Sequence, residues 1–468
     1  MAKSIPPHLR KFRSPGVYVE EVSLAPMTIS PVETAIPAFI GYTHLTGEKA
    51  GVDLMAVPKR ISSMQEYTTF FGTAGKEQGL SLEINPSNAN AMQARLANPK
   101  AGLLFYSLQA FFANGGRSCF VISVGNSAQA PKLQDYQNGL AASKKEERIT
   151  LLCFPDAVGL LEEKDYYQLM GEAMLQCSQM RSRFLLMDLH KQAADNLQSL
   201  AQFRNGLCQS EGRSFAAAYY PYIISQLNYT FEPEDVEVHL LDPKGRQKTI
   251  SLAALKSQDE RLFRNGIAEI RKTLRPVLPP SPYVAGAYAL VDGQRGVWKA
   301  PANVSLQGIQ ALTANINNLE QEQFNVDPVE GKSVNAIREF SGRGFLVWGA
   351  RTLAGNDNEW RYVPVRRFVI MVESSLKEPL ERIAFEANNA DTWTKTKSMT
   401  ENFLHELWRN GAIQGTKPDQ AYFVRCGLGQ TMTQQDIKEG RMILELGLAA
   451  MRPAEFVILR ITQKMNQA

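Results

Sequence analysis

Between residues 148 and 222 the chain alternates short apolar runs with longer amphipathic ones, and this pattern limits the possible folds more than any other feature. Ile149 to Phe154 reads as a strand, Lys164 to Met180 as a helix and Arg183 to Asp188 as a strand; Ala193 to Cys208 reads as a helix and Ser214 to Tyr220 as a strand. Strands separated by helices of this length pair in parallel, because a crossover through a helix returns the chain in the same direction. A βαβαβ unit with a short parallel sheet is expected, in an α/β chain.

The flanks are less regular. The first 15 residues hold Pro6, Pro7 and Pro15 with basic side chains and no acid, and read as a mobile arm. Val17 to Val22 and Ala38 to Tyr42 read as strands joined by an extended connection. Ser63 to Phe71 reads as a helix closed by Gly72, Gly102 to Asn114 as a helix stopped by Gly115-Gly116, and Cys119 to Val124 as a strand. Past residue 222 the pattern gives a hairpin, Val236 to Leu241 with Gln247 to Leu252, and a helix from Arg261 to Leu274. Leu278-Pro279-Pro280-Ser281-Pro282 reads as the clearest boundary. Beyond it come strands at Gly344 to Trp348 and Arg361 to Val369, and helices at Ser375 to Asn388 and Thr392 to Asn410. A short helix at Thr433 to Glu439 carries Asp436 as a capping-box analogue. Strands at Met442 to Leu448 and Phe456 to Thr462 end the chain. Trp348, Trp360, Trp393 and Trp408 fall where core packing explains them.

Composition excludes whole classes of function. At 468 residues, with 44% hydrophobic and 21% charged side chains, the chain is neither disordered nor collagen-like, and its length suits roughly two to four domains. A net charge of +4, from 51 basic and 47 acidic residues, is too even for a dedicated nucleic-acid binder. The five cysteines make no CxxC pair and read as buried thiols of a reducing compartment. Neither a signal peptide nor a stretch of about 18 apolar residues is present in the sequence, so folding in the cytoplasm without membrane insertion is expected.

Catalytic patterns are scarce. Asp156 and Asp188 follow neighbouring strands of the parallel unit, where carboxylates can hold Mg²⁺, and His190 could move a proton; the favoured reading is that Asp156 is a turn residue and that Asp188 and His190 are polar residues leaving a strand, since such an edge occurs in many α/β sheets that do no chemistry. His405-Glu406 lacks the second histidine of a zincin helix, and the glycine-rich stretches match neither the phosphate loop nor the dinucleotide fingerprint, so no cofactor is expected. Both termini end in strands that read as detachable. Each could pair with an edge on another subunit, or with the chain's own C-terminal sheet.

Several segments carry a family resemblance: SPGVYVEEV at 14 to 22, FFANGG at 111 to 116, YVAGAYALVDGQRGVWKAPAN at 283 to 303, INNLEQEQFN at 316 to 325, GRGFLVWGARTL at 342 to 353 and RYVPVRRF at 361 to 368. FEAN at 385 to 388, FLHELWRNGAIQG at 403 to 415, TMTQQDIKEGRM at 431 to 442 and MRPAEFVILRITQ at 451 to 463 continue it. In order and spacing these resemble the tail sheath family of contractile phage tails and related contractile injection systems.

The resemblance implies an α+β inner domain made from residues 1 to 45 and 279 to 468, with residues 46 to 278 inserted as an outward-facing α/β region. It implies a subunit of stacked hexameric rings around an inner tube protein, with baseplate and terminal cap proteins as further partners, that contracts from a metastable extended state. A minor baseplate-proximal paralogue or a non-contracting scaffold would carry the same signature. By resemblance the linking strands are Val17, Tyr18, Val19, Glu20, Glu21 and Val22, and Phe456, Val457, Ile458, Leu459, Arg460 and Ile461. Lys438 and Arg441 are candidate tube-facing residues. The sequence departs from the family pattern at residues 224 to 278, which are additional, and at Ser281-Pro282-Tyr283, where Ser-Gly is common.

Overall fold

The computed structural model describes residues 28–47, 51, 53–77, 79–84, 92–97, 103–190, 195–241 and 247–465. The chain begins with β1 (Pro37–Thr43), β2 (Lys59–Ile61), α1 (Met64–Phe71), β3 (Leu80–Ile84), β4 (Met92–Leu96), α2 (Leu103–Ala113) and β5 (Cys119–Asn126). The alternating stretch gives α3 (Leu133–Ser143), β6 (Leu151–Cys153), α4 (Ala157–Leu160), α5 (Glu163–Met180), β7 (Phe184–Asp188), α6 (Asn196–Gly206) and β8 (Ala216–Tyr220). Next come β9 (Ile223–Ser225), β10 (Glu237–Leu241), β11 (Gln247–Ser251), α7 (Leu252–Gln258), α8 (Glu260–Thr273) and β12 (Val277–Leu278). After them run α9 (Ser281–Arg295), β13 (Val304–Ser305), β14 (Ile309–Leu312), α10 (Asn318–Asn325), β15 (Val334–Phe340) and β16 (Gly344–Trp348). The last part holds α11 (Val363–Ile383), α12 (Ala390–Arg409), α13 (Pro418–Ala421), β17 (Tyr422–Arg425), α14 (Gln434–Lys438), β18 (Arg441–Leu448) and β19 (Val457–Lys464).

The expected parallel unit is present as β6, β7 and β8, and it is the centre of something larger. These strands lie in a nine-stranded sheet ordered β13-β16-β15-β8-β7-β6-β1-β5-β2. From β15 to β5 the pairings are parallel, and antiparallel strands close both ends. The strands at its centre are buried on both faces, as in a parallel sheet covered by helices. This sheet takes β1 from before residue 45 and β13, β15 and β16 from after residue 279, so both expected boundaries fall between strands of one sheet.

Leu278 to Pro282 is a buried junction. Leu278 pairs with Ile223, Ser281 is fully buried, and the prolines set the first turn of α9, where a missing N–H costs nothing. A second core lies between α11, α12 and the sheet β17-β18-β19. The third is small. In it the hairpin β10–β11 extends β3–β4 through a parallel β10–β3 pairing, and α7 and α8 cover the apolar face at Leu82, Val238, Leu252 and Ile270.

Two expectations need correction. In place of the strand expected at Arg361 to Val369, Val363 to Val369 is the start of the 21-residue helix α11, which also absorbs the helix expected from Ser375; Arg361 and Tyr362 precede it. Nearly every position from Val363 to Val372 is buried, and an apolar run buried on all sides carries no period from which to choose strand or helix. Cys208 is exposed, whereas the other four thiols are buried.

Candidate assembly interface

The C-terminal strand pairs with its own chain: β19 runs antiparallel to β18 from Leu448↔Val457 to Arg441↔Lys464. Alternation divides it cleanly. Val457 and Leu459 point into the second core, while Ile458 is 59% exposed and Arg460 reaches Glu445 on β18 at 2.8 Å. Phe456 precedes the strand and packs edge-on against Phe423, and Ile461 is half-buried. The outer side of β19 is a sheet edge with no strand partner among the described residues.

Along that edge lies a groove of about 1240 Å³, walled by Ile458 to Gln463, by Glu373 and Lys377 of α11, and by Val32 and Thr34 of the segment that leads into β1. Val17, Tyr18, Val19, Glu20, Glu21 and Val22 lie outside the described residues, and the described chain begins just upstream of this wall.

α14 is fixed at its start by a capping box, Thr433 accepting from Asp436 N and Asp436 accepting from Thr433 N. The hydroxyl and amide of Thr433, with the Arg441 guanidinium, hold the Asp436 carboxyl down at about 2. Arg441 is bound to Asp436 at 2.7 Å and Glu439 at 2.6 Å, so its charge is committed within the chain; Lys438 ends the same helix.

The two carboxylates singled out in the sequence do follow adjacent strands, and both are inside the fold. Asp188 is 1% exposed and accepts from Ser281 N at 2.8 Å and Ser281 Oγ at 2.5 Å, which ties β7 to the N-terminus of α9. Asp156 is 2% exposed and accepts from Tyr42 N at 2.7 Å, while its Oδ1 has no hydrogen-bond partner. Burial pushes both carboxyls up to about 7. His190 is buried, with Nε2 2.9 Å from Leu161 O. Neither carboxylate lines the groove, and among the described residues no three His, Cys, Asp or Glu side chains cluster in a way that could hold a metal.

The match to a phage tail sheath C-terminal domain covers residues 355–464, which is the second core with β19. A chain from the anti-feeding prophage helical sheath in its contracted state is 31% identical, the alignment covering 97% of this chain and 99% of that one with a TM-score of 0.61. The chain belongs to the contractile tail sheath family. A chain from the sheath complex of an extracellular contractile injection system, PVC, in its contracted state is 28% identical over 97% of this chain and 98% of its own, with a TM-score of 0.63. A prophage major tail sheath protein of Pseudomonas aeruginosa (strain UCBPP-PA14) is 27% identical over 139 residues, which is 29% of this chain and 34% of that relative's length.

In this sheath subunit two of the sequence segments meet. Gly286, from YVAGAYALVDG, faces Phe111 O and Asn114 of FFANGG so closely that an added Cβ would sit 2.6 Å from the carbonyl oxygen. α9 and α2 therefore pack nearly backbone to backbone. Sequence reasoning missed Arg366 and Arg367, which are buried, and Asp292, whose side chain is 7% exposed; the available signal was a pair of arginines inside the apolar run Val363 to Val372.

Proposed function

We propose that this chain polymerises as stacked hexameric rings around an inner tube protein, between a baseplate and a terminal cap, and drives the tube through a target envelope by contracting. The observation that carries the reading is the full-length likeness to a contracted helical sheath, together with a β19 edge that has no strand partner among the described residues and lies beside a groove. Residues Val17 to Val22 of a second copy would enter the groove and add a strand to β19, gaining about one main-chain hydrogen bond per paired position. Phe456 to Ile461 would serve the same linkage from the C-terminal side, staying on β18 or exchanging between copies. The second core would face the tube through α14, with Lys438 and Arg441, and the nine-stranded sheet and third core would lie outward.

No chemical step is needed in this role. The extended state would be metastable, and a modest difference in packing free energy per subunit, summed along the sheath, would supply the work. Assembly would take place in the cytoplasm before the particle acts; among the described residues no helix is long and apolar enough to cross a membrane.

Negative-stain electron microscopy of the purified chain, concentrated alone, tests the reading. Hollow, helically ridged tubes are expected. A species that stays monomeric at every concentration, and also in the presence of its tube and baseplate proteins, would overturn it.

A further inference from the structure

The two larger cores are joined through a buried charge cluster on α11. This helix starts in the first core, at Val363, and ends in the second, at Leu376 and Leu380. Where it crosses, Arg367 is 3% exposed and grips Asp292 of α9, 7% exposed, with both arms: Nη1 to Oδ1 at 2.9 Å and Nη2 to Oδ2 at 2.5 Å. Nη2 also donates to Thr34 O at 2.9 Å, and the Thr34 hydroxyl donates to Asp292 Oδ2 at 2.6 Å. Its guanidinium carbon lies 4.4 Å from the Tyr288 ring centroid. The adjacent Arg366 sits between the rings of Trp360 and Phe215, at 3.4 and 4.2 Å, and donates to Ser214 Oγ at 3.0 Å. Segments far apart in sequence thus converge on one point.

Stability alone does not account for such a pair. Desolvating both charges offsets most of their attraction, and apolar side chains of the same volume would hold the junction about as well. Direction is what they could not supply, because the planar guanidinium fork accepts a carboxylate in one orientation. The α9 side of the contact is itself fixed, by Asp188 on Ser281 and by the close approach at Gly286. Two other ion pairs link α11 to the sheet body, Arg181–Glu373 and Lys377–Glu147; the second is exposed at both ends and the first at its arginine, so both are weaker constraints.

We infer that Thr34, Asp292 and Arg367 form a latch that sets the angle between the second core and the nine-stranded sheet, and so the direction in which β19 is presented to a neighbouring subunit. The consequence for neighbouring subunits rests on the sheath reading; the angle itself is a property of the single chain.

Spin labels give a direct readout. Cys208 is exposed on the sheet body, and Phe385, 79% exposed at the end of α11, can carry the second label as Phe385→Cys. The latch predicts one narrow distance distribution in the labelled parent. In the apolar double variant Asp292→Leu with Arg367→Met, once circular dichroism shows it folded, the distribution is expected to broaden about twofold or to split. Tubes from the double variant should be irregular in twist, or absent. An unchanged distribution in a folded double variant overturns the latch. Should that variant fail to fold, Arg367→Lys, which keeps the charge and loses the fork, decides by the same two outcomes. Because the distance is measured on the unassembled chain, it decides the latch even if the parent forms no tubes.

Discussion

Asp156 holds one carboxylate oxygen on a backbone amide and leaves the other unpartnered in the core, and the consequence for pH can be worked out. Its folded pKa is about 7, raised by burial, against about 3.9 for an unfolded chain. The folded state therefore holds the proton more tightly. Its contribution is fully present below about pH 4, is lost as pH rises to about 7, and amounts at most to something on the order of 4 kcal/mol. Asp156→Asn keeps an acceptor for Tyr42 N and cannot ionise. It is expected to raise the melting temperature at pH 8 and to leave it nearly unchanged at pH 4.5, which scanning calorimetry at the two pH values would check. Arg183 is the opposite case, a fully buried cation with no carboxylate partner among the described residues. Its Nη atoms donate to Ser143 O at 3.1 Å and Glu146 O at 3.0 Å, closing the C-terminus of α3. Charge-assisted bonds of this kind stabilise by about 1.5–3 kcal/mol, so Arg183→Met should lower stability by about that much in urea unfolding.

Among the elements, α9 depends on approach distance and β19 on an open edge. A Cβ at Gly286 would collide with Phe111 O, a backbone atom that cannot move aside cheaply. Gly286→Val should therefore cost about 3 kcal/mol or more and loosen α9, with increased hydrogen exchange along α2 as the sign. β19 behaves differently, because the exposed side chain of Ile458 contributes little to the single chain. Ile458→Lys is expected to leave the melting temperature within about 2 °C and to stop tube formation, since a lysine on an edge strand opposes pairing. Helix ends were the best-marked local features. Ser63 and Thr433 cap α1 and α14 with their side chains, and the closing Gly72 and Gly411 both have positive φ. The strand expected at Arg361 to Val369 is helix from Val363 onward; nearly every position from there to Val372 is buried, which removes the alternation that separates helix from strand.

At the scale of the whole molecule, the third core is built to be separable. Its two contributing segments leave and return at adjacent points: Ala97 N donates to Gly79 O at 3.2 Å, and Ser225 N to Pro276 O at 3.0 Å. Excising 80–96 and 228–274 together, each closed by a short turn, should give a soluble chain that retains the nine-stranded sheet. Excising 228–274 alone exposes Leu80, Leu82 and Ile84 and should give aggregates by size-exclusion chromatography. Residues 236 to 270, the central part of the expected insert, are thus half of a module, completed by the antiparallel pair β3–β4 more than a hundred residues upstream.

Sequence by itself determined the α/β class, the strands and helices from β6 to β8, the caps, the strands β18 and β19 and, through its spaced segments, the sheath family. All of these depend on periodicity or on contacts within a few residues, so they are written locally. Tertiary structure decided that β1 lies between β5 and β6, that the inserted hairpin completes β3–β4, that Asp156 and Asp188 point inward, and that Arg367 meets Asp292 and Thr34. Each is a choice among partners distant in the chain. Such a choice depends on which edges and faces remain unsatisfied once the others have packed, and no local pattern records that.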